Sequence, residues 1–425
     1  VYDMLSAEGT IAGSGPTGYL LRDPGMPLDN LSNTLNVFLG ANVACAQCHD
    51  HPLADWTQRE FYELAAFFGA TDVSDRDPRK VGNRLKNADI SKQDVIKAVA
   101  PNMARVHTKS TQSLKFPDDY AYDDVKPGSP VEPLLFVWES GDEKGPAYQV
   151  DHKNAKTLRA SFAKWLTHEK NPRFPVAIAN RLWQRAFGLG VKEPLDDLDD
   201  LSKSANPALL ALLGQIMIKS DFDLREFQRV LFNTKAYQAR SSVSPPIGEL
   251  DDYLFPGPLL RRMTAEQAWD SILSLVLGEK LDSYKIDRSH RVTRYDFPYD
   301  EMSPETVSKV VLSMKKSGHL DKDVGNRLNA NDYVGGKRPP QIEGEFLLRA
   351  SEMNQPARDD HFLRMFGQSS REIVNDSSRE GSIPQTLMLM NGEVQFMLSD
   401  RQSRLTKKLR ESGGFEPAVQ FLFLS

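Results

Sequence analysis

Apolar residues recur every three or four positions along most of the chain, which is the spacing of amphipathic helices. Before residue 110 this pattern predicts a helix from Leu31 to Ala44 and another from Trp56 to Phe68, which Gly69 is placed to end. Beyond residue 156 the pattern predicts five further helices: Thr157 to Thr167, Pro175 to Gly188, Pro207 to Ser220, Leu224 to Ala236, and one capped by Thr264 that runs to Leu277.

Segments without this pattern indicate where domains meet. Residues 1–30 and 111–150 are rich in Gly, Pro and Asp, as loops are, and the short apolar run 133–138 allows one small strand pair. We therefore predict a mainly α protein, with a small N-terminal motif-bearing unit and then a larger helical domain with irregular loops. The predicted domains are residues 1–110, an irregular linker or small strand pair at 111–155, and the helical domain at 156–425.

The last helical region carries apolar residues that water solvates poorly. They are Phe362, Leu363, Phe366, Leu387, Leu389, Met390 and Phe396. Burying such a side chain is worth about 1.5–3 kcal/mol, so residues 362–398 are expected to pack onto the helical domain. The apolar run 421–425 resembles an unfinished helix, and we expect this domain to be truncated at its C-terminus.

Composition narrows the class of protein. The chain has 425 residues, 40% hydrophobic and 26% charged, which suits a folded protein of two or three domains. With 53 basic and 58 acidic residues it lacks the basic excess of a nucleic-acid-binding protein, so no nucleic acid partner is expected. No apolar run approaches the roughly 20 residues of a membrane-spanning helix, and we predict no membrane-spanning segment in this chain.

The two cysteines are the only ones in the chain, and a histidine directly follows the second, in Cys45-Ala46-Gln47-Cys48-His49. Covalent attachment of c-type haem needs two thiols at this spacing, which add to the two vinyl groups of the porphyrin. It also needs a histidine next in sequence as an axial ligand of the iron. The motif therefore predicts haem c attached to Cys45 and Cys48, with His49 on the iron.

A bound haem also needs walls and, in many proteins, a second axial ligand. We expect an apolar pocket beside the motif, with Trp56, Phe61 or Phe68 as a wall. Met103 is the predicted distal ligand, with His107 as the alternative, because a loop at this distance along the chain can reach the opposite haem face.

Zinc is the alternative ligand of the same motif. Cys45, Cys48, His49 and His51 supply four donors of the right kind, although ligands this crowded match no usual zinc spacing. If haem is bound instead, His51 lies too close to His49 to reach the opposite haem face, and we expect it in the His51-Pro52 turn or on a haem propionate. A redox or structural Cys-x-x-Cys disulfide is the third option, but it leaves both histidines unexplained.

Two other patterns have ordinary structural explanations. The acidic run 196–200 lacks the spacing of a calcium loop, so it is expected to be a solvated, helix-capping loop. Asn180 and Arg181 beside Trp183 are typical of a buried polar clamp. The sequence contains no nucleophile elbow, no phosphate-binding glycine loop and no His-Glu-x-x-His motif.

The stretch from Phe38 to Pro52, with Trp56-Thr57-Gln58 and Ala65 to Phe68, resembles the C-terminal part of a planctomycete cytochrome-like domain of unknown function, DUF1549. Later segments resemble its usual companion, the planctomycete domain DUF1553: Trp165-Leu166-Thr167, Asn171 to Phe174, Asn180 to Trp183, Arg261 to Glu266, Phe362 to Ser369 and Gln385 to Gly392. The resemblance implies a periplasmic or cell-envelope protein whose export signal is not present in this fragment. It implies no particular activity.

The sequence therefore predicts a cell-envelope protein that binds c-type haem and acts in electron transfer or another redox role, with a redox partner protein. An envelope structural or binding protein, with Cys45, Cys48, His49 and His51 as a zinc site, is one alternative. A polysaccharide-acting enzyme is another, suggested only by the lifestyle of such bacteria, because paired carboxylates for that chemistry cannot be picked out from the sequence.

Overall fold

The structure is a computed structural model. It describes residues 1–10, 14–73, 90–99, 105–138, 144–241, 254–286, 302–316, 333–342, 345–353, 356–368 and 381–424. The chain forms two compact units, of which unit 1 comprises Val1–Leu260 and Val292–Ser317, and unit 2 comprises Arg261–Arg291 and Gly318–Ser425. Helices dominate the described residues of both, so the predicted mainly α fold is confirmed.

The helices are numbered here in chain order. They are α1 (Tyr2–Ser6), α2 (Pro27–Leu39), α3 (Gln58–Ala65), α4 (Lys92–Val99), α5 (Ala155–Leu166), α6 (Phe174–Phe187), α7 (Pro207–Lys219), α8 (Leu224–Phe232), α9 (Ala265–Leu277), α10 (Pro304–Lys316), α11 (Phe362–Met365), α12 (Ile383–Asn391), α13 (Glu393–Ser399), α14 (Arg404–Glu411) and α15 (Phe415–Leu424). Among the described residues, every helix is too short or too polar to cross a lipid bilayer.

Local sequence signals set the ends of the two helices that flank the cysteine motif. Helix α2 begins with Pro27, whose missing N–H is no loss in a first turn, and ends at Gly40, which has a left-handed φ of 59°. Helix α3 begins with a capping box, in which the Thr57 hydroxyl accepts from the Glu60 N–H and the Glu60 carboxylate accepts from the Thr57 N–H. Residues 41–57, including the motif, therefore connect two well-defined helix ends.

One hydrophobic core in unit 1 joins the motif-bearing segment to α5. The rings of Phe68 and Phe162 meet edge to face with their centroids 5.1 Å apart. The buried guanidinium of Arg159 in α5 donates to the backbone carbonyls of Leu5 and Ala7, both at 3.0 Å. Packing thus joins the predicted N-terminal unit to α5, and the boundaries at residues 110 and 155 remain predictions of domain organisation.

Helices α6, α7 and α8 enclose a second core in unit 1. The side-chain amide of Asn180, 1% exposed, donates to the Lys192 carbonyl (2.7 Å) and accepts from the N–H groups of Val191 (2.8 Å) and Lys192 (3.2 Å). Its neighbour Arg181 donates to the carbonyl of Asn36 in α2 at 3.0 Å. The predicted buried polar clamp is confirmed, and it ties α6 both to the following turn and to α2.

A three-stranded antiparallel sheet of order β1–β3–β2 completes unit 1; its strands are β1 (Gly9–Thr10), β2 (Thr71–Val73) and β3 (Arg105–Thr108). Helix α10 packs on α4, where the Lys315 ammonium donates to the Asp94 carboxylate at 2.8 Å. In the described residues of the predicted linker 111–155, Lys115 and Pro130 form one isolated antiparallel bridge, Pro146–Tyr148 forms a 3-10 turn and α5 begins at Ala155, and the rest is irregular.

Unit 2 is built around α9. Thr264 caps this helix through a capping box with Gln267, so the predicted N-cap is confirmed. The indole N–H of the fully buried Trp269 donates to the Leu348 carbonyl at 2.9 Å. The core of the unit includes Trp269, Leu273, Phe362, Leu363, Val394 and Met397. A two-stranded antiparallel ladder joins β4 (Gln341–Ile342) to β5 (Glu345–Phe346).

The expectation that the apolar residues of 362–398 are all buried is wrong in part. Phe362 and Leu363 lie in the core of unit 2. Four others are 44–62% exposed: Leu387, Leu389, Met390 and Phe396. Helices α12 and α13 carry apolar residues around much of their circumference, whereas a surface helix buries only one stripe. That stripe includes Val394 and Met397, and the remaining apolar residues face solvent.

Candidate cofactor-attachment site

The cysteine motif forms a 3-10 turn, Ala44–Gln47, in the connection between α2 and α3. The N–H groups of Cys48 and His49 both donate to the Cys45 carbonyl, at 3.1 and 3.3 Å. Side chains three residues apart eclipse in such a turn, and side chains three and four apart share one face of a helical turn. The sequence spacing favours a common side for the thiols of Cys45 and Cys48, and His49 follows directly in the same exposed turn.

The other side of the turn is anchored in the core. Ala46 is fully buried, whereas Cys45, Cys48 and His49 are exposed. Both thiols are free rather than joined in a disulfide. Burial raises the pKa of Tyr62, and the nearby Cys48 raises the pKa of Tyr62 by a further, smaller amount. The turn thus presents two thiols and one imidazole to the outside.

The orientation of His49 is set by its own backbone neighbour. Its Nδ1 lies 2.7 Å from the carbonyl oxygen of Asp50. Because a carbonyl can only accept, Nδ1 must be the donor, and a neutral imidazole then carries its lone pair on Nε2. Metal-binding histidines characteristically donate their second ring N–H to a carbonyl or carboxylate in this way. His49 is therefore held in the tautomer that a metal ligand requires.

Asp50 is itself fixed from two directions. Its backbone N–H donates to the Tyr122 hydroxyl at 2.7 Å, and its carboxylate accepts from the backbone N–H of Gln58 at 2.8 Å. Gln58 is the first residue of α3, and its side-chain amide also donates to the Gln47 carbonyl at 3.2 Å. The start of α3 and Tyr122 together hold the turn on both sides of His49.

A cleft of about 540 Å³ adjoins this network. Its lining residues are Asp50, Thr57, Arg59, Glu60, Glu63, Tyr120, Tyr122, Asp123, Asp124 and Leu134. Arg59 pairs with Glu63 at 2.8 Å, and the Tyr120 hydroxyl donates to Asp124 at 2.9 Å. Burial and the nearby Asp124 carboxylate raise the pKa of Tyr120 far above its usual range. Tyr120 is therefore a neutral donor at any physiological pH.

Of the three candidate pocket walls, two lie in the core and one is half-buried. Phe61 and Phe68 are fully buried in the core of unit 1, because the apolar face of α3 and its following turn points inward. Trp56 is half-buried and packs edge to face on Phe136, with ring centroids 5.1 Å apart. The cleft that adjoins the network around Asp50 is lined by neither Phe61 nor Phe68, but mostly by residues that carry charged or hydroxyl groups.

The other predicted ligands are not brought to the motif as a cluster. The N–H of His51 donates to the Trp56 carbonyl (2.7 Å) and its Nδ1 accepts from the Leu53 N–H (3.2 Å), so this residue shapes its own turn. His107 lies on β3 with its Nε2 3.2 Å from Asp72. Met103 lies outside the described residues. Within those that are described, no three His, Cys, Asp or Glu side chains are placed to share one metal ion.

Sequence reasoning missed Asp50, Gln58 and Tyr122. The capping box Thr57-x-x-Glu60 marks the start of α3 and could have identified the Gln58 N–H as an unpaired helix donor. Asp50 stands directly after the motif. Tyr122 lies 72 residues further along the chain, and no local signal links it to Asp50.

A family model described as PSD1, a protein of unknown function (DUF1553), matches residues 158–424. The chain belongs to the PSD1 family. A second model, PSCyt2, also a protein of unknown function (DUF1549), matches residues 25–73, which include the motif. The fusion of these two domains is the one that the sequence resemblance predicted. No curated protein and no solved structure matches the chain.

The PSD1 segment contacts the PSCyt2 segment near the motif. The N–H of Leu198 donates to the Gly40 carbonyl at 2.8 Å. Asp199 binds Arg173 at 2.7 Å and accepts from the Trp56 indole N–H at 3.4 Å. The acidic loop 196–200 was expected to be solvated and helix-capping. Its last residue does cap a short turn, but Asp199 makes contacts that hold the PSCyt2 segment.

Proposed function

We propose that this PSD1 protein binds c-type haem covalently through Cys45 and Cys48, with His49 as an axial iron ligand. We further propose that it serves electron transfer or another redox role in the periplasm or cell envelope. The observation that carries the proposal is one short turn that exposes two free thiols and the imidazole, with the N–H groups of Cys48 and His49 both bound to the Cys45 carbonyl. The Nδ1–H of His49 is occupied by the Asp50 carbonyl, which leaves Nε2 as the donor to iron.

Each protein group would have a defined role. Cys45 and Cys48 would hold the haem: the S–H of each would add across one vinyl double bond, with sulfur on one carbon and hydrogen on the other, and no oxidant would be consumed. The exposed thiols permit that addition, and the buried Ala46 keeps the turn anchored while it occurs. Haem, once bound, supplies a one-electron redox centre whose potential depends on its axial ligands and surroundings.

The zinc alternative has less support. It requires Cys45, Cys48, His49 and His51 to converge at about 2.0–2.3 Å from one ion. His51 instead accepts a hydrogen bond from the Leu53 N–H, and the motif turn presents its donors outward. Nothing in the described cavities favours a polysaccharide-acting enzyme over the haem proposal.

The test is expression in a host whose periplasm contains haem-attachment machinery. The purified chain is expected to show a Soret band that survives denaturation and acid-acetone extraction. The double variant Cys45→Ser, Cys48→Ser is the control, and it should lose that band while keeping its helical circular dichroism. His49→Ala should keep less haem and show an altered spectrum, because its iron lacks the proximal ligand.

Two results would overturn the proposal. One is a haem-free wild-type chain from a host in which a known c-type cytochrome is loaded normally. The other is stoichiometric zinc that requires His51 as well as the two cysteines, which would restore the zinc alternative.

A further inference from the structure

We infer that Tyr122 is a positioning residue for His49, acting through the backbone of Asp50. The inference rests on the proposed function for its consequence at the iron, but the positioning itself is a property of the protein alone. Tyr122 touches neither thiol nor imidazole in any described contact. Its hydroxyl accepts from the Asp50 N–H at 2.7 Å, and the Asp50 carbonyl is the acceptor for His49 Nδ1 at 2.7 Å.

The Asp50 residue transmits position because every one of its polar groups is engaged. Its N–H meets Tyr122, its carboxylate meets the N–H of Gln58, and its carbonyl meets His49. Two of these contacts lie on elements outside the motif, namely α3 and the segment around residue 122. The direction of the Asp50 carbonyl is therefore imposed by the fold rather than by the exposed turn alone.

Tyr122 is a firm support because its ring is packed. It lies edge to face on Tyr120, with centroids 5.5 Å apart, and Tyr120 lies edge to face on Phe116 at 5.2 Å. Tyr120 is 5% exposed and its hydroxyl is tied to Asp124. Phe116 belongs to the core of unit 1. An aromatic series thus runs from the core to the hydroxyl that holds Asp50.

The chemical consequence is control of the imidazole tautomer. With the Asp50 carbonyl fixed, the proton is held on Nδ1 and the lone pair on Nε2. Without the Tyr122 hydroxyl, the exposed Asp50 N–H turns to water, and its residue loses one of its two anchors. The Nδ1–H tautomer then loses part of its advantage over the Nε2–H tautomer, which cannot bind iron through Nε2.

The first experiment needs no haem. The full chain is made without attachment machinery, with ¹⁵N-histidine, and the ring nitrogens of His49 are observed by long-range ¹H–¹⁵N NMR at about pH 8.5, where a histidine of ordinary pKa is neutral. His49→Gln identifies the signal. Tyr122→Phe is expected to lower the ratio of Nδ1–H to Nε2–H by at most about fivefold, the factor worth one ordinary hydrogen bond if its loss is fully transmitted to His49.

Tyr120→Phe is the matched control. It removes a hydroxyl from the adjacent ring of the same aromatic series, but that hydroxyl binds Asp124 rather than Asp50. The tautomer ratio should stay at the wild-type value in this variant. An unchanged ratio in Tyr122→Phe, or an equal fall in both variants, would overturn the inference.

A wild-type measurement covers the case in which a variant fails to fold. The Asp50 amide is exposed, yet it should exchange with solvent more slowly than neighbouring exposed amides because Tyr122 accepts its hydrogen. Exchange at the rate of a free amide would refute the positioning contact.

The loaded protein provides the second readout. Loss of an outer partner of a metal ligand typically weakens binding about 10–100-fold, and Tyr122 acts one residue further out. We expect imidazole to displace His49 from iron several-fold faster in Tyr122→Phe and at the wild-type rate in Tyr120→Phe. If the wild type takes up no haem, the proposed function fails, whereas the NMR result still decides whether Tyr122 positions His49.

Discussion

Asn180→Ala tests the clamp that holds the PSD1 segment against the region of the motif. The buried amide of Asn180 makes three hydrogen bonds, all to the backbone of Val191 and Lys192. Alanine removes all three and leaves two N–H groups and one carbonyl without that partner. The turn at 191–192 leads directly into the loop 196–200, which contacts Gly40 and the side chain of Trp56.

The expected cost follows from those bonds. At about 1–1.5 kcal/mol per buried hydrogen bond, the loss is about 3–4.5 kcal/mol, which is near the upper end for a single substitution. For a unit of this size, whose unfolding entropy is about 0.6 kcal/mol/K, that corresponds to a fall in melting temperature of roughly 5–8 °C. Trp183 lies one turn further along α6 in the same core, so its fluorescence reports the transition of this part of unit 1.

Asn180→Asp sharpens the test because it keeps an acceptor for the two N–H groups but loses the donor to the Lys192 carbonyl. Burial raises the pKa of such a carboxyl group, and only its protonated form can donate. Its stabilising contribution is therefore present at low pH and lost as the pH rises through the raised folded pKa. The Asp variant should melt close to the Ala variant at about pH 8 and regain stability relative to it towards about pH 4. A melting temperature of Asn180→Ala within about 2 °C of wild type would refute the clamp.

Two further substitutions test the loop from other directions. Gly40→Ala should cost clearly more than Gly25→Ala, by about 1–3 kcal/mol in thermal or urea unfolding, because both glycines have positive φ but only a Cβ at Gly40 would meet the Leu198 side chain, at 2.5 Å. Equal losses of stability in the two variants would show that the loop around Leu198 moves aside without cost. Burial raises the pKa of the Glu193 carboxyl group, and the hydrogen bond from the Gly190 N–H lowers it by a smaller amount. The protonated form therefore stabilises the fold, and this stabilisation is lost as the pH rises through the raised pKa of Glu193. Glu193→Gln should then melt above wild type at about pH 8 and lose that advantage at about pH 4, and a difference independent of pH would contradict the assignment.

The sequence predicts the principal helices well because their signals are local. The segment from Thr157 to Thr167 is α5, Ala155–Leu166, and the capping residue Thr264 precedes α9 as predicted. What it cannot supply is the partner of each apolar face. Helix α5 packs on residues near the start of the chain, including the backbone that Arg159 holds, and nothing in the pattern of α5 specifies that choice.

The site likewise has one part that the sequence predicts and one part that depends on the tertiary fold. Spacing alone predicts that Cys45, Cys48 and His49 belong to one turn, because they lie within five residues of each other. Periodicity does not distinguish a face turned to a ligand from a face turned to the core, which is why Phe61 was assigned to a pocket wall and lies instead in the core. The contact between Asp50 and Tyr122 depends on the tertiary fold.

The chain passes between its two compact units three times, after Leu260, after Arg291 and after Ser317. Helix α10 lies beyond the second passage and returns to unit 1, where Lys315 meets Asp94. During synthesis, unit 1 therefore cannot be completed until the ribosome has already made α9, the central helix of unit 2. A cut in any one of the three passages would therefore give two fragments, at least one of which carries residues of both units.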